Sequence, residues 1–375
     1  MNRFAFGAFG FLLTAAYCPY IVGAADTPRW LVLAVFVPIA LIMLFLRGDE
    51  IWVTWPHIIG FAFLLWAALS LLWTATPLDS IDALWPLALV GGCFALGSAI
   101  EDIEPLLIGA AFGIGISSAL IVIEFATGWH LALGGAQVTR SLAGLFGNPD
   151  HAAEAAALVL VGLATFARKW SPVRFSLLVG LILPCLALTL ARGAVLAAAV
   201  GIGTMAWQSD WPDRYSMFLA RIAVITGAVG LGIVVLLLHP GVASIHARLA
   251  IWADMGPGLT VFGRGIGSFA GTFPLFARHV DITAVRDMFA HNDLLQIAYE
   301  LGLPGIGLAG AFVLLILRSI DPLRFVFLAL VVEACFEFPA HLPATAGFGF
   351  MLAGSATCCM PRVCFPSVLG RIPIS

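Results

Sequence analysis

A histidine and an asparagine are adjacent at His291 and Asn292, and two carboxylates follow at Asp293 and Glu300. The helical run that carries Glu300 breaks at the segment 302–305 (Gly-Leu-Pro-Gly), where a long apolar stretch begins. Histidine is the side chain most often used for proton transfer near neutral pH. Ionisable groups at the mouth of a span-like apolar segment are costly to place there, so they indicate a functional site. The alternative is a solvated loop that leads into a helix cap.

Arginines and further polar residues occur in other segments that we place on the same side of a membrane. They are Arg140, Asn148, Asp150 and His151 in one loop, Arg192 at a predicted hairpin, Arg248, Arg264, Arg278 and Arg286 in a long loop, and Glu337 with His341 at the end of a later span. The guanidinium group matches phosphate oxygens bidentately and stays charged at any working pH. An arginine at membrane depth, as we expect for Arg192, is costly unless an anion such as a lipid-borne diphosphate meets it. Two alternatives stay open: Arg192 snorkels to the interface, and Arg278 and Arg286 are solvated loop charges.

These residue types predict glycosyl transfer from a lipid diphosphate sugar. His291, next to the neutral Asn292, would orient an acceptor hydroxyl or take its proton, while arginines stabilise the charge on the departing diphosphate. Arginines can replace a metal in that role, and no DxD spacing lies on a predicted outer loop. Asp79 and Asp82 form a DxxD without neighbouring ligands, so we expect no metal site and no cofactor.

The composition is that of a polytopic membrane protein. Of the 375 residues, 61% are hydrophobic and only 10% are charged, and the mean hydropathy is +1.04. A soluble domain carries about 25% charged residues, so this chain cannot cover a surface that faces water. No basic patch accompanies the net charge of −3, which argues against a nucleic-acid partner. The seven cysteines show neither a disulfide framework nor a zinc-ligand spacing.

Because a spanning helix needs about 20 apolar residues, the sequence predicts an all-α fold of about twelve transmembrane helices. The predicted spans are 4–24, 29–46, 57–74, 83–100, 105–125, 151–167, 174–191, 192–208, 219–238, 301–317, 322–338 and 342–361. A tight reversal at Arg192 divides the long apolar run 174–208.

We predict one membrane domain over residues 1–375. It comprises N-terminal spans (1–125), an outer loop (126–150), central spans (151–238), a long lid loop between spans 9 and 10 (239–290) and C-terminal spans (291–375). The lid loop contains Trp252 and several phenylalanines among glycines, which predicts a folded segment on the membrane surface rather than disorder. The stretch 248–255 is a candidate interfacial helix with Trp252 at headgroup level.

The distribution of positive charge predicts the orientation. Arg168, Lys169 and Arg174 lie in one short loop, and short cytoplasmic loops are enriched in lysine and arginine. This assignment makes both termini cytoplasmic. The polar residues named above then lie on the outer face.

In five segments the chain resembles the O-antigen ligase superfamily, which includes O-antigen polymerases and pilin O-oligosaccharyltransferases. The histidine motif of that family is met by His291-Asn292, nine residues and Gly302-x-x-Gly305, although Ile306-Gly307 stands where Thr-Val is common. The other matching segments are SLAGLFGNPDHAA (141–153), LTLARGAVLA (188–197), RLAIW with FGRGIGSF (248–252 and 262–269) and EFPAHLPA (337–344). Three residues depart from the family's pattern: Asp150 stands where Asn is usual, Ala191 where Ser is usual, and Glu337 where Asp is usual.

The resemblance covers about residues 140–345 and implies an inverting, metal-independent transferase at the periplasmic face of the bacterial inner membrane. The donor would be an undecaprenyl-diphosphate-linked glycan, and the acceptor lipid A-core, or another glycan if the protein is a polymerase. By this resemblance, Arg192 and Arg248 match the arginines that bind the diphosphate in that family. His291 matches the family's essential histidine. For substrate binding we predict the residues Arg264, Arg140, Asn148, Asn292, Glu300 and His341. A pilin-directed enzyme is less favoured because such enzymes carry an extra C-terminal domain.

A transporter of lipid-linked sugars is the alternative from a different functional class. A transporter would carry buried charges along a path through its spans. Here Glu154 and Glu333 are the carboxylates that we expect to lie within spans.

Overall fold

A computed structural model of the protein describes residues 3–20, 25–47, 53–131, 142–208, 242–280 and 289–363. The described residues form helices, turns and loops and contain no strand. The predicted span 219–238 lies outside these ranges, as do Arg140, Arg286 and residues 239–241 and 281–288 of the predicted lid loop.

Thirteen α-helices are numbered here in chain order of the described residues. They are α1 (Arg3–Ala15), α2 (Asp26–Arg47), α3 (Trp55–Leu69), α4 (Pro77–Ser98), α5 (Glu104–Thr127), α6 (Pro149–Ala164), α7 (Pro172–Thr189), α8 (Arg192–Gln208), α9 (Val242–Met255), α10 (Phe269–Thr272), α11 (Asp293–Leu317), α12 (Arg324–Ala334) and α13 (Pro343–Ser355). Several of them have a proline in the first turn. Backbone N–H groups there have no partner within the helix, so the missing N–H of proline costs no hydrogen bond.

Six helices within the described ranges are long and apolar enough to cross a membrane. They are α2, α3 with its short 3₁₀ extension to Leu72, α4, α5, α7 and α11. Five other predicted spans correspond to shorter helices, from 11 residues in α12 to 17 in α8. The all-helical membrane fold is therefore supported, whereas the number of twelve spans stays a prediction.

The outward-facing sides of the long helices are apolar, as expected for helices that contact lipid. In α2, the side chains of Leu31, Val35, Ile39 and Ile42 are each more than half exposed. These positions recur at helical spacing along one face, which in a soluble protein would carry polar groups.

Most of the helices pack into one large core, in which glycines bring neighbouring backbones close together. α1 packs along α5, and α4 packs along α13. At the second crossing, a methyl group on Gly97 would overlap the carbonyl oxygen of Met351, and one on Gly354 would overlap that of Phe94. Close approach through small residues is typical of helix packing in membranes.

Arg29 in α2 is fully buried and holds together three parts of the bundle. Its guanidinium donates to the carbonyl oxygens of Ala25 (2.9 Å), Thr14 (3.1 Å) and Leu145 (3.3 Å), and it lies 3.9 Å from the ring centre of Phe146. Leu145 and Phe146 belong to a 3₁₀ turn immediately before α6. Arg29 thereby fixes where α6 begins.

The 242–280 segment is folded, as predicted for this part of the lid loop. A second, smaller core contains Ile251, Met255, Phe269, Phe273 and Tyr299. The predicted interfacial helix is the C-terminal part of α9. The indole N–H of its Trp252 donates to the carbonyl oxygen of Ala290 (2.9 Å), so this tryptophan joins the segment to the start of the His-Asn motif.

Asp254 in α9 binds the C-terminal end of the same segment, at residues 278–280. Its carboxylate accepts the backbone N–H groups of Arg278, His279 and Val280 and lies 2.6 Å from Nδ1 of His279. Burial alone would raise the pKa of Asp254, but the hydrogen bonds from His279 and Arg278 outweigh burial and lower it.

Candidate active site

The Gly-x-x-Gly element is a break within α11. Gly302 has φ 65° and ψ −159°, a conformation outside the helical region that side-chain-bearing residues rarely adopt. A methyl group on Gly302 would overlap the carbonyl oxygen of Val261, and one on Gly305 would overlap Cβ of Leu301. Both glycines of the motif are therefore required by close packing, Gly302 also by its backbone conformation.

Backbone groups left unpaired at this break bond to the 242–280 segment. The N–H groups of Arg264 and Gly265 donate to the carbonyl oxygens of Tyr299 (3.1 Å) and Glu300 (2.8 Å). The N–H of Leu303 donates to Val261 (2.9 Å). The break thus anchors the segment on α11.

Glu300, a predicted substrate-binding residue, belongs to this anchor. Its carboxylate is buried and accepts the backbone N–H groups of Gly267 (2.7 Å) and Phe269 (3.2 Å), at the start of α10. Gln296 donates a third hydrogen bond to it (3.2 Å). These hydrogen bonds join α11 to the start of α10. Glu300 also lines the cavity described below, so its role in substrate binding stays a prediction.

Asn292, a second predicted substrate-binding residue, is the N-cap of α11. Its amide oxygen accepts the N–H of Leu295 (2.9 Å), and its amide nitrogen donates to the carbonyl oxygen of Cys335 (2.9 Å). Both ends of the side chain are thus engaged. They tie the start of α11 to the end of α12 and place His291, which has a positive φ of 49°, just ahead of the helix.

Glu337 bridges two of the three predicted catalytic residues. Its Oε2 lies 2.8 Å from Nδ1 of His291, and its Oε1 is paired with Nη2 of Arg248. Side-chain exposures of 20% for His291, 23% for Arg248 and 12% for Glu337 leave the cluster partly accessible. A carboxylate on Nδ1 holds the proton of the neutral imidazole there and leaves Nε2 as the basic nitrogen.

The third predicted catalytic residue, Arg192, begins α8 directly after a break between α7 and α8, at the position of the predicted reversal. α7 ends at Thr189, and Leu190 adopts a left-handed conformation (φ 54°). α8 packs on α12, and a methyl group on Gly193 would contact Cβ of Phe336 at 4.0 Å. The Arg192 hairpin therefore lies beside the residue that precedes Glu337.

Phe338 joins the cluster to the start of α6. Its ring centre is 5.1 Å from that of His291, 4.5 Å from that of Phe289 and 5.7 Å from that of His151. Asn148, a predicted substrate-binding residue, is the N-cap of α6, accepts the N–H of Asp150 (3.0 Å) and lies 3.4 Å from Nε2 of His151.

His341, also predicted to bind substrate, pairs with Asp293. Nδ1 of His341 is 2.9 Å from Oδ1 of Asp293, whose other oxygen accepts the N–H of Ala340 (3.0 Å). Burial disfavours the imidazolium, but the Asp293 carboxylate outweighs burial and raises the pKa of His341 above its usual value. Residues 291 and 293 thus pair with residues 337 and 341 through two histidine–carboxylate contacts.

Arg264 lies within the packing of the 242–280 segment. Its Nε donates to the carbonyl oxygen of Gly258 (2.6 Å), and its guanidinium lies 4.4 Å from the ring centre of Phe276 and 5.6 Å from that of Tyr299. These contacts give it a structural role, and Arg140 lies outside the described residues.

A cavity of about 680 Å³ lies on the Asp293–His341 side of the site, and His291, Arg248 and Glu337 are not among its lining residues. Phe289, Asp293 and His341 line it on the side of the cluster, and Ile266 and Gly267 line it from the 242–280 segment. Most of the remaining lining is aromatic or aliphatic, from α3, α4, α11 and α12. Such a cavity suits the apolar part of a lipid with a polar group at one end.

The sequence placed Glu337, Asp293 and His151 among the polar residues of the outer face but assigned them no catalytic or binding role, and it did not single out Phe338. A usable signal is the match between two short segments, since each carries one histidine and one carboxylate: 291–293 and 337–341. Within the described ranges, no group of three or more His, Cys, Asp and Glu side chains is arranged as metal ligands would be.

Comparison with known proteins adds no family assignment, because no protein-family model matches the chain and no curated protein matches it significantly.

Proposed function

We propose that the protein is a membrane glycosyltransferase of the O-antigen ligase type. It would move a glycan from undecaprenyl diphosphate to lipid A-core at the periplasmic face of the bacterial inner membrane. The observation that carries this proposal is the cluster of Arg248, Glu337 and His291, which combines a basic nitrogen with a cation on a shared carboxylate.

In this proposal His291 is the general base. The Glu337 carboxylate orients the imidazole through Nδ1 and stabilises the imidazolium that forms (2.8 Å). Nε2 takes the proton of the acceptor hydroxyl as its oxygen forms a bond to the anomeric carbon of the donor. The bond from that carbon to the diphosphate breaks at the same centre, which inverts its configuration.

The leaving diphosphate carries negative charge that needs stabilisation rather than a proton. A guanidinium has five N–H donors, and Glu337 engages only Nη2 of Arg248 in the described contacts. Arg248 can therefore keep its carboxylate partner and still donate to a phosphate. Arg192, on the hairpin beside residue 336, would be the second cation.

The test is transfer by the purified protein in liposomes supplied with undecaprenyl-diphosphate glycan. A product with the mass of glycosylated lipid A-core supports the ligase. Elongation of a second lipid-linked glycan instead supports an O-antigen or exopolysaccharide polymerase, which shares the donor chemistry. His291→Ala should abolish either product in a protein that melts at an unchanged temperature. A strict requirement for magnesium contradicts the arginine mechanism.

A transporter of lipid-linked sugars is the second candidate, because two buried glutamates lie together in the bundle. Glu154 on α6 and Glu333 on α12 are almost completely buried, and these helices are in contact. Movement of lipid-linked glycan across liposomes by the His291→Ala variant would favour the transporter, since only a transferase depends on this imidazole.

A further inference from the structure

One of the two buried glutamates, Glu333, lies one helical turn from the candidate active site, and Glu154 lies on the contacting helix α6. Glu333 precedes Glu337 by four residues, and the N–H of Glu337 donates to the carbonyl oxygen of Glu333 (2.9 Å). The relative exposures of Glu154 and Glu333 are 2% and 1%. Among the described residues, none of their four carboxyl oxygens has a hydrogen-bond partner.

Two ionised carboxylates in this position would be strongly unfavourable. A buried charge needs a hydrogen-bond donor or a counterion, and neighbouring like charges add repulsion. Burial is the largest unfavourable contribution to a negative charge on Glu154, and the carboxylates of Glu333, Glu337, Asp150 and Asp293 add to it. Together they raise the cost of ionising Glu154.

The helices packed against the pair carry few other ionisable groups. α6 itself carries Asp150 and His151 in its first turn, and α12 begins with Arg324. Of the helices packed against them, α8 begins with Arg192, α5 has Glu104 and Glu124 near its ends, α7 has Arg174 in its first turn, and α11 has Asp293 and Glu300. The described helix α13 has none, and His341 lies in the turn before it. A proton is the ligand that removes the charge without needing a coordination shell.

We propose that Glu154 and Glu333 form a proton-binding site that keeps the region beneath the active-site cluster uncharged. With the proton bound, Glu337 is the carboxylate that balances Arg248. When a carboxyl O–H of the pair ionises and its proton passes to water, a negative charge appears one turn from Glu337. That charge opposes the binding of a diphosphate. This last consequence rests on the proposed function, whereas the bound proton does not.

Infrared difference spectroscopy on the full-length protein in lipid tests the site directly. At neutral pH, the wild type should show a carbonyl band of protonated carboxyl that shifts in D₂O. The band should weaken in Glu154→Gln and Glu333→Gln and disappear in the double variant. Glu101→Gln is the control, because Glu101 is exposed and its loss should leave the band unchanged. An identical band in wild type and double variant overturns the proposal.

A metal cation in place of the proton would also overturn it. The thermal stability of the wild type should not change when sodium replaces choline at constant ionic strength. A sodium-dependent rise that disappears in the double variant would assign the site to sodium.

Donor affinity provides the functional readout. In the wild type, the KM for the diphosphate donor should rise by about tenfold towards alkaline pH, because an added like charge opposes the anion. The double glutamine variant should lose this rise while its kcat is retained. A band that behaves as expected, without any transferase activity, would contradict the proposed function and leave the proton site standing. Transferase activity without the protonated-carboxyl band would support the proposed function and contradict the proton site.

Discussion

The two histidine–carboxylate pairs that join residues 291–293 to residues 337–341 use the same chemical groups in different surroundings. In the first pair, Glu337 contacts His291 and also Arg248, and all three side chains are partly exposed. In the second, the carboxylate of Asp293 is only 4% exposed and its other oxygen is engaged by the N–H of Ala340. No arginine contact to Asp293 occurs among the described residues.

This difference separates a pair that could perform chemistry from one that fixes a turn. A carboxylate shared between an imidazole and a guanidinium brings a base and a cation to one accessible place. A carboxylate shared between an imidazole and a backbone N–H holds the 338–341 turn on the start of α11. A histidine–carboxylate contact alone therefore does not identify a catalytic site. The third partner of the carboxylate distinguishes the two pairs, because the imidazole of His341 is 32% exposed and that of His291 only 20%.

The largest expected contrast is in activity. His291→Gln and Glu337→Gln should each lower the transfer rate by about 10²–10⁴-fold, the range for loss of a general base or of its orientation. His341→Gln should lower the rate by less than about tenfold. Initial rates with undecaprenyl-diphosphate glycan measure both. An equal loss in His291→Gln and His341→Gln would mean that the two pairs are not functionally distinct.

Replacing Gly302 should disturb both pairs together, because Asp293 is the first residue of α11 and His291 lies two residues ahead of it. Gly302→Ala places a methyl group against the carbonyl oxygen of Val261 at a positive φ, and we expect a loss of roughly 1–3 kcal/mol in stability. Gly307→Ala is the matched control on α11, since its added methyl group meets no atom within 4 Å. Thermal unfolding measures both variants. Similar melting temperatures would show that the break tolerates a side chain.

Asp293→Asn tests the structural pair by itself. The change removes the negative charge that His341 contacts at 2.9 Å, and we expect a loss of about 1.5–3 kcal/mol, typical of a hydrogen bond to a charged group. Glu337→Gln should cost less stability, because Glu337 is more exposed. Denaturant unfolding compares the two variants. A larger loss for Glu337→Gln would reverse the roles assigned to the pairs.

The smallest expected effect is the pH dependence of the second pair. Asp293 raises the pKa of His341, so the stabilisation from this pair is fully present below the ordinary histidine pKa of about 6.5. It is lost as the pH rises through the raised value in the folded protein. The melting temperature of the wild type should therefore fall over that window, relative to His341→Gln. If the melting temperatures of the wild type and of His341→Gln changed with pH in parallel, the Asp293–His341 pair would not be the source of this stabilisation.

Much of the local structure was predictable from the sequence. The hydropathy pattern predicted the six long helices, the Arg192 reversal and the break at the Gly-x-x-Gly element, because apolar length and glycine act locally. The sequence also predicted the helical run that carries Glu300, but it did not predict the partners of Asp293 and Glu300. In the structure both are buried and bonded to segments distant in the chain.

By itself, the sequence determined that the protein is a helical, apolar chain with its reactive residue types in a few segments. Tertiary structure alone decided the use of each polar side chain. Glu300, Asn292 and Arg264 hold the fold together, whereas Glu337, which was not among the predicted site residues, joins His291 to Arg248. The physical reason is that a polar group's role depends on its partners, and these partners come from residues up to 89 positions away in the chain.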